Sequence, residues 1–564
     1  MNRTPASFIR HWFGSENGLS DRLIPRWLFL RGLGLIYFSA FYSLVFQIRG
    51  LIGPNGILRA GDYLQGVARQ FGGSRFWFAP TLLWISSGDR MLTAICWAGM
   101  IAALLLVLNV WPRAALLVCF VCFLSFVAAA EDFSGYQSDG MLLEAGFISL
   151  FFAPAGFWPG LGRSSPPSRA SLFLLQWEWF RIYFESGIVK LASGDPEWRN
   201  FTAMDEYYQN GPLPTWIGWY AQHLPHWFHA FSTGATLVLE LGLVFMMFLP
   251  RRLRLACFLI VTVWQIPVIL TANYTFLNYL VLLLGFLLLD DRFCQRVLPE
   301  RWRMRVAARL KGEPLPDARR APKPPTGEAA ASVDAPAAEL ASPPAAPCHA
   351  ARPRSRLHPF TAFRLALVSV MLLWIFYATS VQLLWMLFPH LPLPVSPVAA
   401  LDPFRMANRY GLFAVMTRGR YEIEFQGSDD GQHWKTYPFK YKPQDLAAKP
   451  SIYAPYQPRF DWNLWFASLG SWRENLLVLS TEERLLEGSP DVLALFAGNP
   501  FPAAPPREMR AVLWQYWFTS LAEKRTTGLW WRRELIGLYA PVLARDTDGK
   551  IVVIEWPPPL TPRE

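Results

Sequence analysis

Hydrophobic and polar positions follow two different patterns along this chain of 564 residues. Up to about residue 390, long apolar runs are separated by short, arginine-rich breaks. Beyond that point the runs shorten and apolar residues alternate with polar ones. Runs of roughly 17–25 apolar residues are long enough to cross a bilayer as helices. Nine candidates stand at 27–47, 91–109, 114–130, 140–157, 170–191, 229–249, 252–271, 274–290 and 362–388. A shorter run, Phe76–Ser86, contains Pro80 and reads as re-entrant or interfacial rather than crossing. In the last third, Tyr421, Ile423 and Phe425 alternate with Glu422, Glu424 and Gln426, the period of a half-buried strand with its carboxylates in water. The turn SDDG leads to a returning strand at 433–441. Further strands are expected at 535–545 and 551–556, with helices at 461–469, 492–496 and 511–524.

The expected fold is therefore a polytopic α-helical membrane bundle of about nine spans, followed by an extracytoplasmic, β-rich, sandwich-like domain with helical insertions. Residues 1–310 form the transmembrane helical domain with an outer loop at 191–228. Residues 311–358 are a disordered Ala/Pro-rich cytoplasmic linker, short of the apolar surface needed to offset ordering entropy. Residues 359–390 are the last transmembrane helix, and 391–564 the extracytoplasmic domain.

Charge orients this arrangement. Short loops rich in Lys and Arg stay on the cytoplasmic side. Arg22 and Arg26 precede the first run, Arg251, Arg252 and Arg254 separate two later ones, and Arg292 and Arg296 follow the eighth. With nine crossings all three clusters are cytoplasmic and the C-terminal domain is outside. The same arginines account for the net charge of +11, which carries no nucleic-acid motif and implies no nucleic-acid partner. No cleavable signal is expected, because no apolar core precedes Ile24. All six cysteines precede residue 350, and Cys119 and Cys122 lie within an apolar helix where packing, not redox chemistry, is the ordinary reading.

Polar side chains at membrane depth are costly and face a bundle interior or a water-filled cavity. Gln137, Asp139 and Glu144 open one apolar run. Glu178, Arg181 and Glu185 are spaced to share a helical face in another. Lys190, Asp195, Trp198 and His223 follow within the Trp- and Pro-rich stretch 186–225. Two readings stay open. These residues lock helix packing, with Glu144 paired to Arg181 for example, or they form a polar site in which Lys190, Glu144 and Glu185 are the catalytic candidates. His223, His226 and His229 sit in a Trp-rich belt interrupted by Pro225 and lack metal-site spacing, so neither metal nor cofactor is expected.

The motifs QIRGLIGPNGIL at 47–58, YQSDGMLLEAGFISLFFAP at 136–154, the stretch 186–225, TANYTFLNYLVLLLGFLLLDD at 271–291, NRYGLFAVMT at 408–417, APYQPRFDWNLWFASLG at 454–470 and TGLWWRREL at 527–535 together resemble the lipase maturation factor family. The segment SGIVKLASGDPEW at 186–198 more distantly resembles the vitamin K-dependent carboxylase and its transmembrane relatives. The first resemblance implies a chaperone-like membrane protein, resident in the endoplasmic reticulum in eukaryotes, that matures a secreted lipase or similar client. For this arginine-rich chain it implies a bacterial inner membrane. The second implies Lys190 as a catalytic base acting on a lipid or lipid-linked substrate. Membrane lipid is a partner under both. Trp462, Trp465, Trp530 and Trp531 are the candidates for a client-binding apolar patch.

Overall fold

The computed structural model describes residues 5–14, 18–300, 303–304 and 359–558. The expected linker lies outside these. Nine apolar segments fold as helices, labelled here α1 Leu23–Val45, α2 Asp89–Val107, α3 Pro112–Val127, α4 Gln137–Phe152, α5 Arg169–Ala192, α6 His226–Leu241, α7 Arg251–Thr271, α8 Leu277–Gly285 and α9 Pro359–Leu387. By length and composition, five are able to cross a membrane: α1, α2, α7, α9, and α6 with its continuation to Phe248. α3 and α8 are shorter but apolar. α4 and α5 carry the charged residues Asp139, Glu144, Glu178, Arg181, Glu185 and Lys190 along their length. The run Phe76–Ser86 folds as two short turns on either side of Pro80, Arg75–Phe78 and Leu82–Trp84.

Small residues let these helices approach closely, as packing in lipid requires. A Cβ at Gly99 of α2 would stand 2.2 Å from the Phe41 ring of α1. At one end of the bundle, arginines bind the backbone carbonyls of helix ends and of the loop between α4 and α5. Arg22 donates to the carbonyl of Leu289, and Arg26 to those of Ser165, Leu161 and Gly162 at 2.7–2.9 Å. Asp291 returns the favour by accepting the Ile24 N–H at 2.8 Å, capping the start of α1. The opposite end of the bundle meets the C-terminal domain.

Among the described residues that domain holds one antiparallel sheet rather than a sandwich of two. Its strands are β1 Arg420–Ser428, β2 Trp434–Thr436, β3 Glu508–Phe518, β4 Trp531–Leu538, β5 Val542–Arg545 and β6 Ile551–Glu555. The order is β2-β1-β3-β5-β6, with β4 also pairing β3. Helices supply the second layer: α10 Arg459–Ser468 packs on β1 and α11 Leu476–Leu486 on β3.

Three local expectations are corrected. Residues 511–524, expected as a helix, are mostly the central strand β3, because MRAVLWQYWF finds partners on both sides. Residues 535–545 break at Pro541 into β4 and β5. β1 is buried on both faces: Ile423 and Phe425 enter the apolar core as expected, but Glu422 and Glu424 are also buried. Glu422 pairs with Arg420 and, at 2.8 Å, with Lys442; Glu424 pairs with Arg533 at 3.0 Å. Alternation marks a strand with two unlike faces, and here the polar face is an ion network rather than water.

Candidate functional site

The polar residues singled out in the sequence converge at the domain-side end of the bundle, and most of them hold one segment of chain. Residues 405–419, between α9 and β1, lie across the mouths of α4 and α5 without regular secondary structure. The backbone N–H groups of this strap need acceptors, and the bundle supplies them. Asn408 N–H donates to Glu144 at 2.9 Å, Tyr410 N–H to Glu185 at 2.7 Å, Gly411 N–H to Gln137 at 3.0 Å, Leu412 N–H to Ser186 at 3.2 Å and Met416 N–H to Asp195 at 2.6 Å. Strap carbonyls are used as well. Asn408 O accepts from Arg181 at 2.6 Å, Leu412 O from Lys190 at 3.1 Å and Phe413 O from Trp198 at 3.0 Å. Phe413 takes φ +57°, a left-handed conformation that costs a non-glycine residue about 1 kcal/mol or more. The Trp198 bond and the flanking rings of Tyr274 and Tyr207 hold it there.

Beneath the strap lies a buried ion cluster. Glu144 is ion-paired with Arg181 and accepts the Tyr410 hydroxyl at 2.9 Å. Arg181 also faces Glu185 at 3.8 Å, the i,i+4 pair that the spacing implied, and lies over the Tyr410 ring. Glu178, fully buried one turn away, makes no hydrogen bond of ordinary geometry among the described residues. Asp139 belongs to a separate clamp. Both its oxygens are held by Arg459 of α10 at 2.7 and 2.9 Å, with both side chains fully buried. Arg459 also donates to Phe133 O at 2.6 Å and stacks on Phe126, while its own N–H is accepted by Gln47 at 2.8 Å. A second tether is Asn273, whose amide oxygen accepts Tyr453 N–H at 2.7 Å and whose nitrogen donates to Ser451 O at 2.9 Å.

Lys190 is placed differently. Its ammonium bonds both oxygens of Glu240 on α6, at 2.8 and 3.0 Å, and stands over the Trp198 ring. Glu240 was missed in the sequence, although a single carboxylate within the run LVLELGLVF is the same signal that marked Glu144. Asn408, Tyr410, Asn273 and Arg459 were also missed as site residues, for they stand in the quoted motifs but outside any apolar run. The three histidines are separately engaged. His223 lies between the carbonyls of Trp219 and Thr519, His226 beside Asp205, and His229 beside Leu224 O. Among the described residues no group of three or more His, Cys, Asp and Glu is placed to hold a metal ion.

The four candidate client-binding tryptophans lie inside the chain rather than on a patch. Trp462, Trp465 and Trp531 are buried and Trp530 is half-buried. Trp462 meets Tyr136 and Tyr274 of the bundle, Trp531 packs on Phe518, and Trp530 crosses Trp219 edge-on at 5.1 Å. Trp530 and Trp531 join the sheet to the 191–228 segment, and Trp462 joins α10 to the bundle. Chemically, the arrangement is a seam: nearly every strong polar group is consumed by another part of the same chain.

Comparison with known proteins agrees with the motifs. Residues 24–296 match the lipase maturation factor transmembrane domain and residues 406–541 the lipase maturation factor C-terminal domain. The chain is 32% identical to lipase maturation factor 2 of Gallus gallus, over 92% of this chain and 81% of that protein. It is 30% identical to lipase maturation factor 1 of Bos taurus, over 95% and 92% respectively. Lipase maturation factor 2 of Homo sapiens is 31% identical over 92% and 82%. No solved structure matches. The chain belongs to the lipase maturation factor family and is an integral membrane protein.

Proposed function

We propose that this family member matures a secreted lipase or similar client, and that its bundle serves to hold the C-terminal domain rigidly at the membrane surface. The observation that carries the reading is the occupation of the polar site. Glu144, Glu185, Asp195 and Arg181 spend their bonds on backbone groups of the strap, which favours an anchoring role over a catalytic one. Lys190 and Glu240 neutralise each other in the same way. The proposed topology is nine crossings, from α1 to α9, with the N-terminus cytoplasmic and the C-terminal domain outside, in a bacterial inner membrane. Its support is the segregation of Arg22, Arg26, Arg251 and Arg254 to the end opposite the C-terminal domain.

The experiment is co-expression with a secreted lipase from the same cell, scoring active against total lipase. Glu144→Gln and Lys190→Met variants that insert and fold should retain maturation, whereas loss of the C-terminal domain's attachment through Arg459→Met should abolish it. Folded but inactive Glu144→Gln and Lys190→Met, with Arg459→Met active, would overturn the reading. Reporters active only outside the cytoplasm, fused after Glu564 and inserted near Ala335, should be active and silent respectively.

A further inference from the structure

The Lys190–Glu240 pair borders a cavity of about 270 Å³, just below the roughly 300–1,000 Å³ common for small-molecule sites. It lies between α5, α6, α7 and α8 in the half of the bundle nearest the C-terminal domain. α6 and α7 both pack on the turn Leu243–Phe248 at the arginine end. Leu224, Phe231 and Pro267, before α6, on α6 and on α7, line the cavity and are themselves exposed at its edge. The strap residues Leu412 and Phe413 close the top. The walls are mostly apolar, and a water-filled space there would hydrate them unfavourably.

One polar group in the wall is unsatisfied. Asn278 of α8 lines the cavity and is only 7% exposed, and its amide nitrogen has no acceptor among the described residues. A buried donor without an acceptor at membrane depth is costly. An incoming group with a carbonyl oxygen would satisfy it. The charge around the cavity is already balanced. Lys190 spends its donors on Glu240 and Leu412 O, and the Glu240 carboxylate would repel an added anion.

We infer that this cavity binds one ester-linked acyl chain of a bilayer phospholipid, entering between α6 and α7, with the ester carbonyl accepting from Asn278. The neutral ester fits a site whose one lining cation, Lys190, is paired, and the exposed apolar lining residues Leu224, Phe231 and Pro267 give a chain from the bilayer a way in. The inference rests on the membrane placement and is independent of the client reading. Bound lipid props α6 and α7 apart and supports the strap from below.

The test uses the full-length protein in nanodiscs of phosphatidylcholine carrying a diazirine on one acyl chain, with photolabelled peptides mapped by mass spectrometry. Label is expected at Ser232 and Val268 within the cavity, and excess unlabelled phosphatidylcholine should displace it. Ser232→Phe, which fills the space, should lower cavity label at least tenfold, while label at Val263, 70% exposed on the outside of α7, stays unchanged. Asn278→Leu should lower cavity label about three- to tenfold, the worth of one hydrogen bond to a buried group. Only variants that elute as the parent does on size exclusion are compared, and the competition arm needs no variant. Label confined to Val263 and similar surface positions, or cavity label indifferent to both Ser232→Phe and competitor, would overturn the site. Displacement by free oleate but not by phosphatidylcholine would overturn the ester assignment. Loss of client maturation without loss of cavity label bears on the client reading alone.

Discussion

Glu144 and Lys190 stand near the same mouth of the same bundle, one on α4 and one on α5. Glu144 is buried and enclosed by Arg181, Asn408 and Tyr410. Lys190 is paired just as firmly with Glu240, but one side of that pair borders the cavity between α6 and α7. The difference lies in what covers each group. A buried charge becomes architecture when the chain itself supplies every partner, and it remains available to a ligand's surroundings when packing stops short. Polar residues at membrane depth thus mark two things in this protein: the seam to the C-terminal domain and the rim of a pocket.

The seam should be far the more sensitive of the two. Arg459→Met leaves Asp139 buried without its cation, and breaking a buried pair in this way costs about 3–5 kcal/mol. The expected result is a large fall in the thermal unfolding midpoint of the detergent-solubilised protein, with the C-terminal domain released first under limited proteolysis. The same logic extends to β1. Glu422→Lys places a third cation between Arg420 and Lys442, all of them buried, and should cost about 3 kcal/mol or more. It should reduce folded yield as strongly as Ile423→Asp does; indifference to Glu422→Lys would mean that this face of the sheet is wet.

Lys190→Met should cost less, about 1–3 kcal/mol, because the Glu240 side chain is 12% exposed, against complete burial of Asp139. Equal losses for Lys190→Met and Arg459→Met would erase the distinction between rim and seam.

How far the sequence carried this picture can be judged from particular residues. The apolar runs marked each of α1 to α9, because long apolar blocks need no partner to be recognised. Asp139, Glu144, Arg181, Glu185 and Lys190 were legible as unusual, since charge within such a block is expensive. The i,i+4 relation of Arg181 and Glu185 was legible because it is local. Their principal partners were not. The Asn408 and Tyr410 amides and the Arg459 guanidinium stand more than two hundred residues downstream, and most of these partners are backbone groups, which every residue carries alike. The tryptophans failed as a surface patch for a related reason: an aromatic cluster has the same composition whether it faces a client or the other half of its own chain. β3 failed because strong helix and strand formers were mixed in it, and only pairing with β1 and β4 decided the outcome.

A smaller effect extends the comparison outside the membrane. Asp461 lies on α10, two residues from Arg459, and accepts the N–H groups of Tyr441 and Lys442 at 3.1 and 3.2 Å. Burial pushes its carboxyl up to about 6, against the opposing pull of Lys442 and those backbone bonds. An unfolded aspartate titrates near ~3.9. The folded state therefore binds the proton more tightly, and the group's stabilising contribution is complete below about pH 4 and lost as pH rises through 6. Parent and Asp461→Asn should differ in the slope of stability against pH within that window, by on the order of 2 kcal/mol across it, and run parallel above it. Parallel curves throughout would mean that Asp461 is ionised in the fold at no cost.

The seam itself is tested most directly by hydrogen–deuterium exchange of the strap, residues 405–419. This segment has no regular secondary structure, so any protection must come from side chains of the bundle. Tyr410, Leu412 and Met416 donate to Glu185, Ser186 and Asp195, and the expected result is protection approaching that of β1. Glu185→Val should remove it around Tyr410 and Asp195→Ala around Met416, with β1 unchanged. A strap that exchanges within seconds in the parent protein, as an open loop does, would contradict the claim that the polar residues of the bundle exist to hold it.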